Sequence, residues 1–420
     1  MATLKMEPDQ LTSPRHQPAG SAMSILVKLA FLIAAIGCSL ASTPSVKAAD
    51  PPTITAAKVS DATDDPKTNG NVTPLSTAAL RVADALADDR VKLDSYKRDL
   101  AWEGLLRWAE VSGRDRLLQQ VKQATAEHGL NAATANRFGR GPFNCLLYWM
   151  SLESDQPEWL NAFERQTQEY RARVHRSPEG AIEHPRGARR GGGHAMLIDA
   201  LQDYASRMAM LGQTTGDVAY FREAVEQFRI YRTIVRDPAT GLWSQGRGWL
   251  DEPNTLSPGA WSRGHGWLIR GMVDTLLLMP RKSDEAAELR GYLRELSDAL
   301  IQVQQPDGMW HCLLHRPPRE SPPETSGTAL IAGNLAVAVA EGFLESERYA
   351  KAAELAFKAL PQYVDDDGVV LSVSPGPGPL LEVEPWAVER FPPGDQHGPF
   401  AIFFAALGED SLRRMSPVAD

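Results

Sequence analysis

The densest group of ligand-gripping side chains in this sequence is Trp261-Ser262-Arg263-Gly264-His265-Gly266-Trp267. Glycines on both sides of a histidine let a ligand come close to the backbone. Arg263 offers a planar fork for a carboxylate, and it stands where a helix is expected to begin, a second attraction for anions. Trp261 and Trp267 present flat faces on which sugar rings can stack. The plainer alternative is a loop whose tryptophans plug the core, an option most open for Trp267. The mixture of aromatic, cationic and glycine residues favours a site.

A second group runs Gly191-Gly192-Gly193-His194-Ala195-Met196-Leu197-Ile198-Asp199 and continues to Asp203-Tyr204. Leu197, Leu201, Ala205, Met208 and Gly212 form one apolar stripe. Asp199 lies off that stripe in the first helical turns, and Asp203 sits one turn later on the same face. Two carboxylates so placed repel and raise one pKa, as a general acid working near neutrality requires. The helix N-terminus pulls the other way, toward the charged form. A pair of solvated surface acids is the ordinary alternative; the histidine and glycine loop ahead of Asp199 favours a catalytic one.

Weaker signals follow. Asp307-Gly308-Met309-Trp310-His311 precedes Glu324-Thr325-Ser326-Gly327-Thr328, a capped helix start whose hydroxyls, Ser326 above all, can bond sugar hydroxyls or simply cap. His311 and His315 share an i, i+4 spacing, but Pro317-Pro318 opposes a helix there, so no metal site is read. In Asp395-Gln396-His397-Gly398, a histidine opens a helix that can close the mouth of a ring. Arg186, Arg189 and Arg190 form a local positive patch.

These residues need a scaffold, and helical periodicity supplies it. Apolar residues recur at three- and four-residue spacing in about twelve segments between Leu75 and Leu407. The one β-like patch is Gly368 to Val373, ahead of a Pro/Gly-rich turn, and it predicts a small hairpin near the C-terminal end. Turns near Gly113 and Gly216 are short, whereas Ser177–Gly193 and Asp237–Trp261 are long, and long loops are where sites are built. Paired helices with alternating short and long loops predict an all-α closed ring of helical hairpins. An open solenoid is the alternative, but no fixed-period repeat supports it.

The 420 residues can bury a sizeable core, and the formal net charge of −9 opposes nucleic acid as a partner. An anionic substrate stays possible, because a local arginine cluster can override the global sign. Residues 1–48 read as an export signal: Lys28 precedes an apolar run from Leu29 to Ala41, and Val46-Lys47-Ala48 offers a cleavage site. The run is too short for a comfortable membrane span, and Met23 is a better start for such a signal than Met1. The expected location is periplasmic or secreted, with lipid attachment at Cys38 as the alternative. Residues 49–74 read as a spacer, 75–410 as the barrel and 411–420 as a tail. Cys145 and Cys312 are the cysteines left after cleavage, and their pairing is open.

Across Leu75–Leu407 the chain resembles glycoside hydrolase family 105, the unsaturated rhamnogalacturonyl hydrolases, and more distantly family 88. The resemblance rests on the order of His194 and Asp199, Thr215-Gly216-Asp217 with Tyr220, Thr240-Gly241-Leu242-Trp243, Trp261 to Trp267, Asp307 to His311, Ser326-Gly327-Thr328 and Asp395 to Gly398. It implies an (α/α)6 barrel without metal or organic cofactor, acting on oligosaccharides that carry an unsaturated uronic acid. The chemistry it implies is hydration of the C4=C5 bond left by a polysaccharide lyase. An aspartic acid protonates C4, water adds at C5, and the hemiketal releases the neighbouring sugar. By motif match the acid is Asp199. Arg263 with His265 holds the uronate, Trp261 lines the pocket, and His194 touches the substrate or orients Asp199. The chain departs from the pattern at Ala133–Arg140, where the family carries a second aspartate, at Leu197 and His265 in place of tryptophan and asparagine, and at Gly376-Pro377-Gly378. A non-catalytic sugar-binding barrel is one rival reading. A hydrolase of ordinary glycosidic bonds is another, needing a second carboxylate from Asp203, Asp251 or Glu324.

Overall fold

The computed structural model describes residues 72–131, 134, 145–184, 195–249, 254–345, 347–375, 391 and 393–415. The export signal, nearly all of the spacer, Cys38, His194, the arginine patch, most of Ala133–Arg140, Asp251 and Gly376-Pro377-Gly378 lie outside the described residues.

Twelve α-helices stand among the described residues: α1 (Pro74–Ala87), α2 (Ser95–Ser112), α3 (Asp115–Glu127), α4 (Leu146–Leu152), α5 (Pro157–Arg173) and α6 (Asp199–Thr215), followed by α7 (Val218–Val235), α8 (Ser262–Leu278), α9 (Asp284–Gln302), α10 (Thr325–Ala340), α11 (Glu347–Ala359) and α12 (Gly398–Met415). Local chemistry marks their ends. Pro74 occupies the first turn of α1, where Thr73 and Ser76 cap each other reciprocally. Gly216, left-handed at φ 72°, ends α6, and the Asp217 carboxylate then caps α7 by accepting from the Ala219 amide. The last helix runs to Met415, past the expected barrel end at 410.

Burial separates two layers. In α3 only Leu117, Val121 and Thr125 are buried, the single stripe of an outer helix. In α6 every residue from Asp199 to Gly212 is buried, and in α10 every residue from Thr325 to Ala338. The inner layer is therefore α2, α4, α6, α8, α10 and α12. Around it α2 packs on α12, α12 on α10, α10 on α8 and α8 on α6, while α4 packs on α2 and its hairpin partner α5 reaches α6. Each inner helix carries an outer partner: α2 with α3, α4 with α5, α6 with α7, α8 with α9, α10 with α11, and α12 with α1. The result is a barrel of six helical hairpins, as the pattern of loops predicts.

Among the described residues one two-stranded ribbon forms, and it lies ahead of Asp199. Met196–Leu197 pairs antiparallel with Gly246–Arg247, and this two-stranded ribbon ties the two long loops together just ahead of Asp199. Among the described residues the predicted C-terminal patch forms a single bridge, between Val364 and Val370, and the Pro/Gly-rich turn that follows it lies outside them. The segment also serves as a strap: its Ser372 carbonyl accepts from the Thr325 amide at 2.9 Å and its Leu371 carbonyl from the Thr325 hydroxyl at 2.6 Å, at the start of α10.

One polar cluster crosses the middle of the barrel. Glu103 and Arg107 of α2 meet Arg270 and Asp274 of α8, three places away in the ring of six. Arg107 contacts Asp274 at 2.9 Å, Arg270 contacts Asp274 at 3.3 Å, and Arg270 bonds Glu103. Two cations and two anions, all buried, make a neutral brace, and the Arg270 guanidinium lies 4.1 Å from the centre of the Phe404 ring of α12. Cys145 and Cys312 are buried and unpaired.

Candidate active site

The first turns of α2, α6, α8 and α10, with the residues just ahead of α12, meet at one end of the barrel, so several partly positive helix ends share one locality. Asp199 opens α6 and is 8% exposed. The ribbon sets its position: the amide of Ile198 donates to the Gln245 carbonyl at 3.0 Å, and the Trp249 indole to the Met196 carbonyl at 2.7 Å. Its neighbour is the first turn of α8. A Cβ added at Gly264 would lie 3.4 Å from Asp199 Oδ1 and 3.0 Å from Ile198 Cδ1. Among the described residues, Asp199 Oδ1 has no hydrogen-bond partner. Burial raises the carboxyl to about 7, a rise that the positive charge of Arg263 moderates.

Asp203 does not help to raise it. The Asp203 carboxylate is occupied by Arg207 at 2.8 Å, one turn further along α6, and burial is what raises Asp199. The expected repulsion between the two acids is corrected accordingly: a guanidinium neutralises one member of the pair.

Arg263 is held from one side only. Its Nη1 donates to the Ser374 carbonyl at 2.7 Å and to the hydroxyls of Ser326 and Ser374 at 3.1 and 3.2 Å. Its guanidinium lies over Trp261, 4.4 Å from the ring centre, and the Trp261 indole donates to Ser374 Oγ at 3.1 Å. The other edge of the fork, Nε and Nη2, is buried and has no partner among the described residues. That edge is the geometry that takes a carboxylate by two parallel bonds, and a buried cationic edge without an acceptor is costly.

Glu324 organises this grip. Fully buried at the cap of α10, it accepts from the Gly327 amide, from Ser326 Oγ at 2.6 Å, from the Ser374 amide at 3.0 Å and from Ser262 Oγ at 3.3 Å, and lies 3.7 Å from Arg263 Nη1. Gly327 lets α10 approach this closely: a Cβ there would stand 2.7 Å from the Arg263 amide nitrogen. Both Glu324 oxygens are committed, which suits a positioning residue and not a second acid.

Other expected ligands have different duties. His265 is fully buried, accepts at Nε2 from the Trp243 amide at 3.0 Å and donates from Nδ1 to the Trp261 carbonyl at 2.8 Å. Burial lowers it to about 4, so it is neutral with both nitrogens spent on the backbone, and it cannot share the uronate with Arg263. Trp267 stacks on Phe400, centroids 4.9 Å apart, inside the core, and so is packing. His311 is tied through Nδ1 to the Ser321 carbonyl at 2.6 Å, and His315 Nδ1 accepts from the Ala260 amide. Among the described residues no group of three or more His, Cys, Asp and Glu is placed to hold a metal.

His397 does join the site. Its Nδ1 is 2.6 Å from Asp395 Oδ1, and its Nε2 is 3.0 Å from the hydroxyl of Tyr96 on the first turn of α2. Burial and the charge of Arg263 push the imidazole down to about 4. Burial alone would raise Asp395, but the bond to His397 and the Arg263 charge outweigh it and hold the carboxyl low. Sequence reasoning missed Tyr96 and Ser374 altogether.

The family model of Glycosyl Hydrolase Family 88 matches residues 78–379. The unsaturated rhamnogalacturonyl hydrolase YesR of Bacillus subtilis (strain 168) is 25% identical over 318 residues, 70% of this chain and 86% of that protein. Among solved structures, a possible member of family GH105 from Salmonella enterica serovar Paratyphi A superposes with a TM-score of 0.67 at 20% identity, covering 85% of this chain and all of that one. The unsaturated glucuronyl hydrolase of Bacillus sp. GL1 superposes at 0.58 and 16% identity, covering 80% of this chain and 95% of that one.

Proposed function

The chain belongs to glycosyl hydrolase family 88, and we propose that it releases the Δ4,5-unsaturated uronic acid from the non-reducing end of lyase-generated, pectin-like oligosaccharides. The observation that carries this reading is the pairing of a buried carboxyl at Asp199, raised to about 7, with an Arg263 fork whose outer edge has no partner among the described residues. An ordinary carboxylate cannot give a proton near neutrality; one raised to about 7 can. The unsaturated end of such a substrate carries a carboxylate next to the double bond, and Nε and Nη2 of Arg263 fit a carboxylate side-on.

In this reading the Arg263 fork fixes the carboxylate on C5 and so orients the C4=C5 bond. Asp199 delivers its proton to C4, and a water oxygen adds at C5. The hemiketal so formed collapses and frees the neighbouring sugar. Glu324, Ser326, Ser374 and Trp261 hold Arg263 in register and do not react. His194, beyond the described residues, remains the candidate that touches the ring or orients Asp199. The unsaturated rhamnogalacturonyl hydrolase among the relatives supports the pectin-like substrate class. On the strength of the Lys28–Ala48 segment we place the activity outside the cytoplasm.

The test is spectroscopic. The conjugated C4=C5 bond absorbs in the ultraviolet, so purified protein mixed with fragments from a rhamnogalacturonan lyase should erase that band as free sugar appears. An unchanged band with every unsaturated uronide offered would overturn the reading.

A further inference from the structure

Among the described residues two that carry a side chain hold a left-handed backbone, each at φ 54°: Asp89, in the exposed turn after α1, and Ser372, on the strap beside the site. Aspartate enters that region with some ease because its short polar side chain bonds locally. Serine has no such preference, so Ser372 stays there only because its surroundings hold it.

They hold it on both flanks of Glu324. Ser372 Oγ donates to the Pro323 carbonyl at 2.6 Å, and the Ser372 carbonyl accepts from the Thr325 amide at 2.9 Å. A glycine would take the same φ without strain but would forgo the first of these bonds. The turn also decides what the chain presents next. Successive side chains of an extended chain point to opposite faces. Past Ser372, however, Val373 and Ser374 are both fully buried, Val373 in the hydrophobic core and Ser374 against Arg263. Pro375 follows, and the residue ahead of a proline is confined to extended conformations, which restricts the direction of the Ser374 carbonyl.

We propose that Ser372 is a positioning residue for carboxylate recognition: its left-handed turn carries Ser374 onto Nη1 of Arg263 and so dedicates the Nε–Nη2 edge to the substrate. The proposal rests on the reading that Arg263 grips the uronate. Ser374 transmits the effect. Its carbonyl accepts from Nη1 at 2.7 Å, its hydroxyl accepts from the Trp261 indole at 3.1 Å, and its amide donates to Glu324 Oε1 at 3.0 Å. One residue thus bonds the guanidinium, the ring beneath it and the carboxylate that organises the grip.

The consequence lies in which edge of the guanidinium stays open. A carboxylate can meet the fork end-on, through both Nη atoms, or side-on, through Nε and one Nη. Three oxygens, the Ser374 carbonyl and the hydroxyls of Ser326 and Ser374, share the two N–H bonds of Nη1. The end-on approach is closed by them, and the side-on edge is left. Without the turn at Ser372, Nη1 loses two of its three acceptors and the fork loses the contact that fixes its rotation.

The experiment measures KM, kcat and melting curves on lyase-generated unsaturated oligosaccharides for wild type, Ser372→Pro, Ser372→Gly, Arg263→Lys and the double variant of Ser372→Pro with Arg263→Lys. Proline fixes φ at about −65° and cannot make the turn. Both Ser372 variants lose the hydroxyl, so the difference between them isolates the backbone. Ser372→Pro should raise KM roughly tenfold or more, the weight of a hydrogen bond to a charged group, with kcat changed less. Ser372→Gly should stay within about threefold of wild type in KM. In the Arg263→Lys background the proline should add less than about twofold, because it acts through the fork. A merely structural role would lower the melting temperature of Ser372→Pro and leave its KM in place. Should Ser372→Pro fail to fold, Ser372→Val carries the same comparison, since a β-branched residue is strongly disfavoured at positive φ. An active wild type overturns the positioning role alone if KM in Ser372→Pro lies within about twofold of it. Glycine as damaging as proline, or losses that multiply fully in the double variant, do the same. A wild type silent on every unsaturated uronide overturns the reading beneath it.

Discussion

Asp199 Oδ1 lies 3.4 Å from the place that a Cβ on Gly264 would fill, so the first turn of α8 packs directly against the carboxyl. The same place is 3.0 Å from Ile198 Cδ1 and 3.2 Å from the Trp261 ring. Gly264→Ala should therefore disturb the acid and the indole that supports Arg263 while leaving the fold intact. Alanine gains about 1 kcal/mol of helix propensity over glycine, which offsets much of the crowding. The expected outcome is a fall in kcat of roughly tenfold or more with a nearly unchanged melting temperature. Wild-type kcat in this variant would show that the close approach does not matter.

Ionisation of Asp199 gives a pH prediction with a definite sign. The acid form is the working form, so kcat/KM should fall as pH rises through about 7. Stability follows the same carboxyl. Its folded value is raised above the unfolded one near 4, so the folded state binds the proton more tightly, and stability declines as pH rises from about 4 to about 7. Asp199→Asn removes that loss. It should abolish turnover yet melt higher than wild type at pH 8, by on the order of a few kcal/mol, with a smaller difference at pH 4. Equal melting differences at both pH values would contradict a raised carboxyl.

The one-sided grip on Arg263 predicts a sharp difference between two cations. Lysine keeps the charge but not the Nε–Nη2 edge. Arg263→Lys should raise KM for unsaturated uronides by roughly tenfold or more, in line with about 1.5–3 kcal/mol for a charged hydrogen bond. Steady-state kinetics reads this directly, and a KM within twofold of wild type would remove the fork from the account.

The brace across the barrel predicts a loss of stability unrelated to the site's chemistry. Glu103→Gln leaves Arg270 and Arg107 with one carboxylate between them in a fully buried setting. Breaking a buried ion pair from one side costs about 3–5 kcal/mol. Urea unfolding should show that loss, and a variant as stable as wild type would mean that water reaches the quartet.

The helices, the ring and the two side chains on which the proposed function rests were legible in the sequence because each leaves a local mark. Apolar spacing marks the helices, unequal loops mark the hairpins, and Arg263 and Asp199 stand at helix starts among glycines and aromatics. What could not be read was carried by distant pairs. Ser374 meets Arg263 across 111 positions and Tyr96 meets His397 across 301, and neither has a neighbour in sequence that betrays the partner. His265 and Trp267 share the most site-like segment of the chain, yet they point into the core, because a helix starting at Ser262 turns successive residues to different faces. Asp203 looked like a partner of Asp199 by spacing alone; Arg207, one turn beyond, was the visible signal that it was already paired.

Deuterium incorporation is the most direct test of the central claim, that a proton reaches C4 from Asp199 before the neighbouring sugar leaves. Turnover of unsaturated oligosaccharides in heavy water should give a saturated uronic product carrying deuterium at C4, seen by mass spectrometry and NMR, and none at all with Asp199→Asn. A released sugar acid that still holds its C4=C5 bond, with no deuterium at C4, would mean ordinary cleavage at the anomeric carbon and would contradict the account.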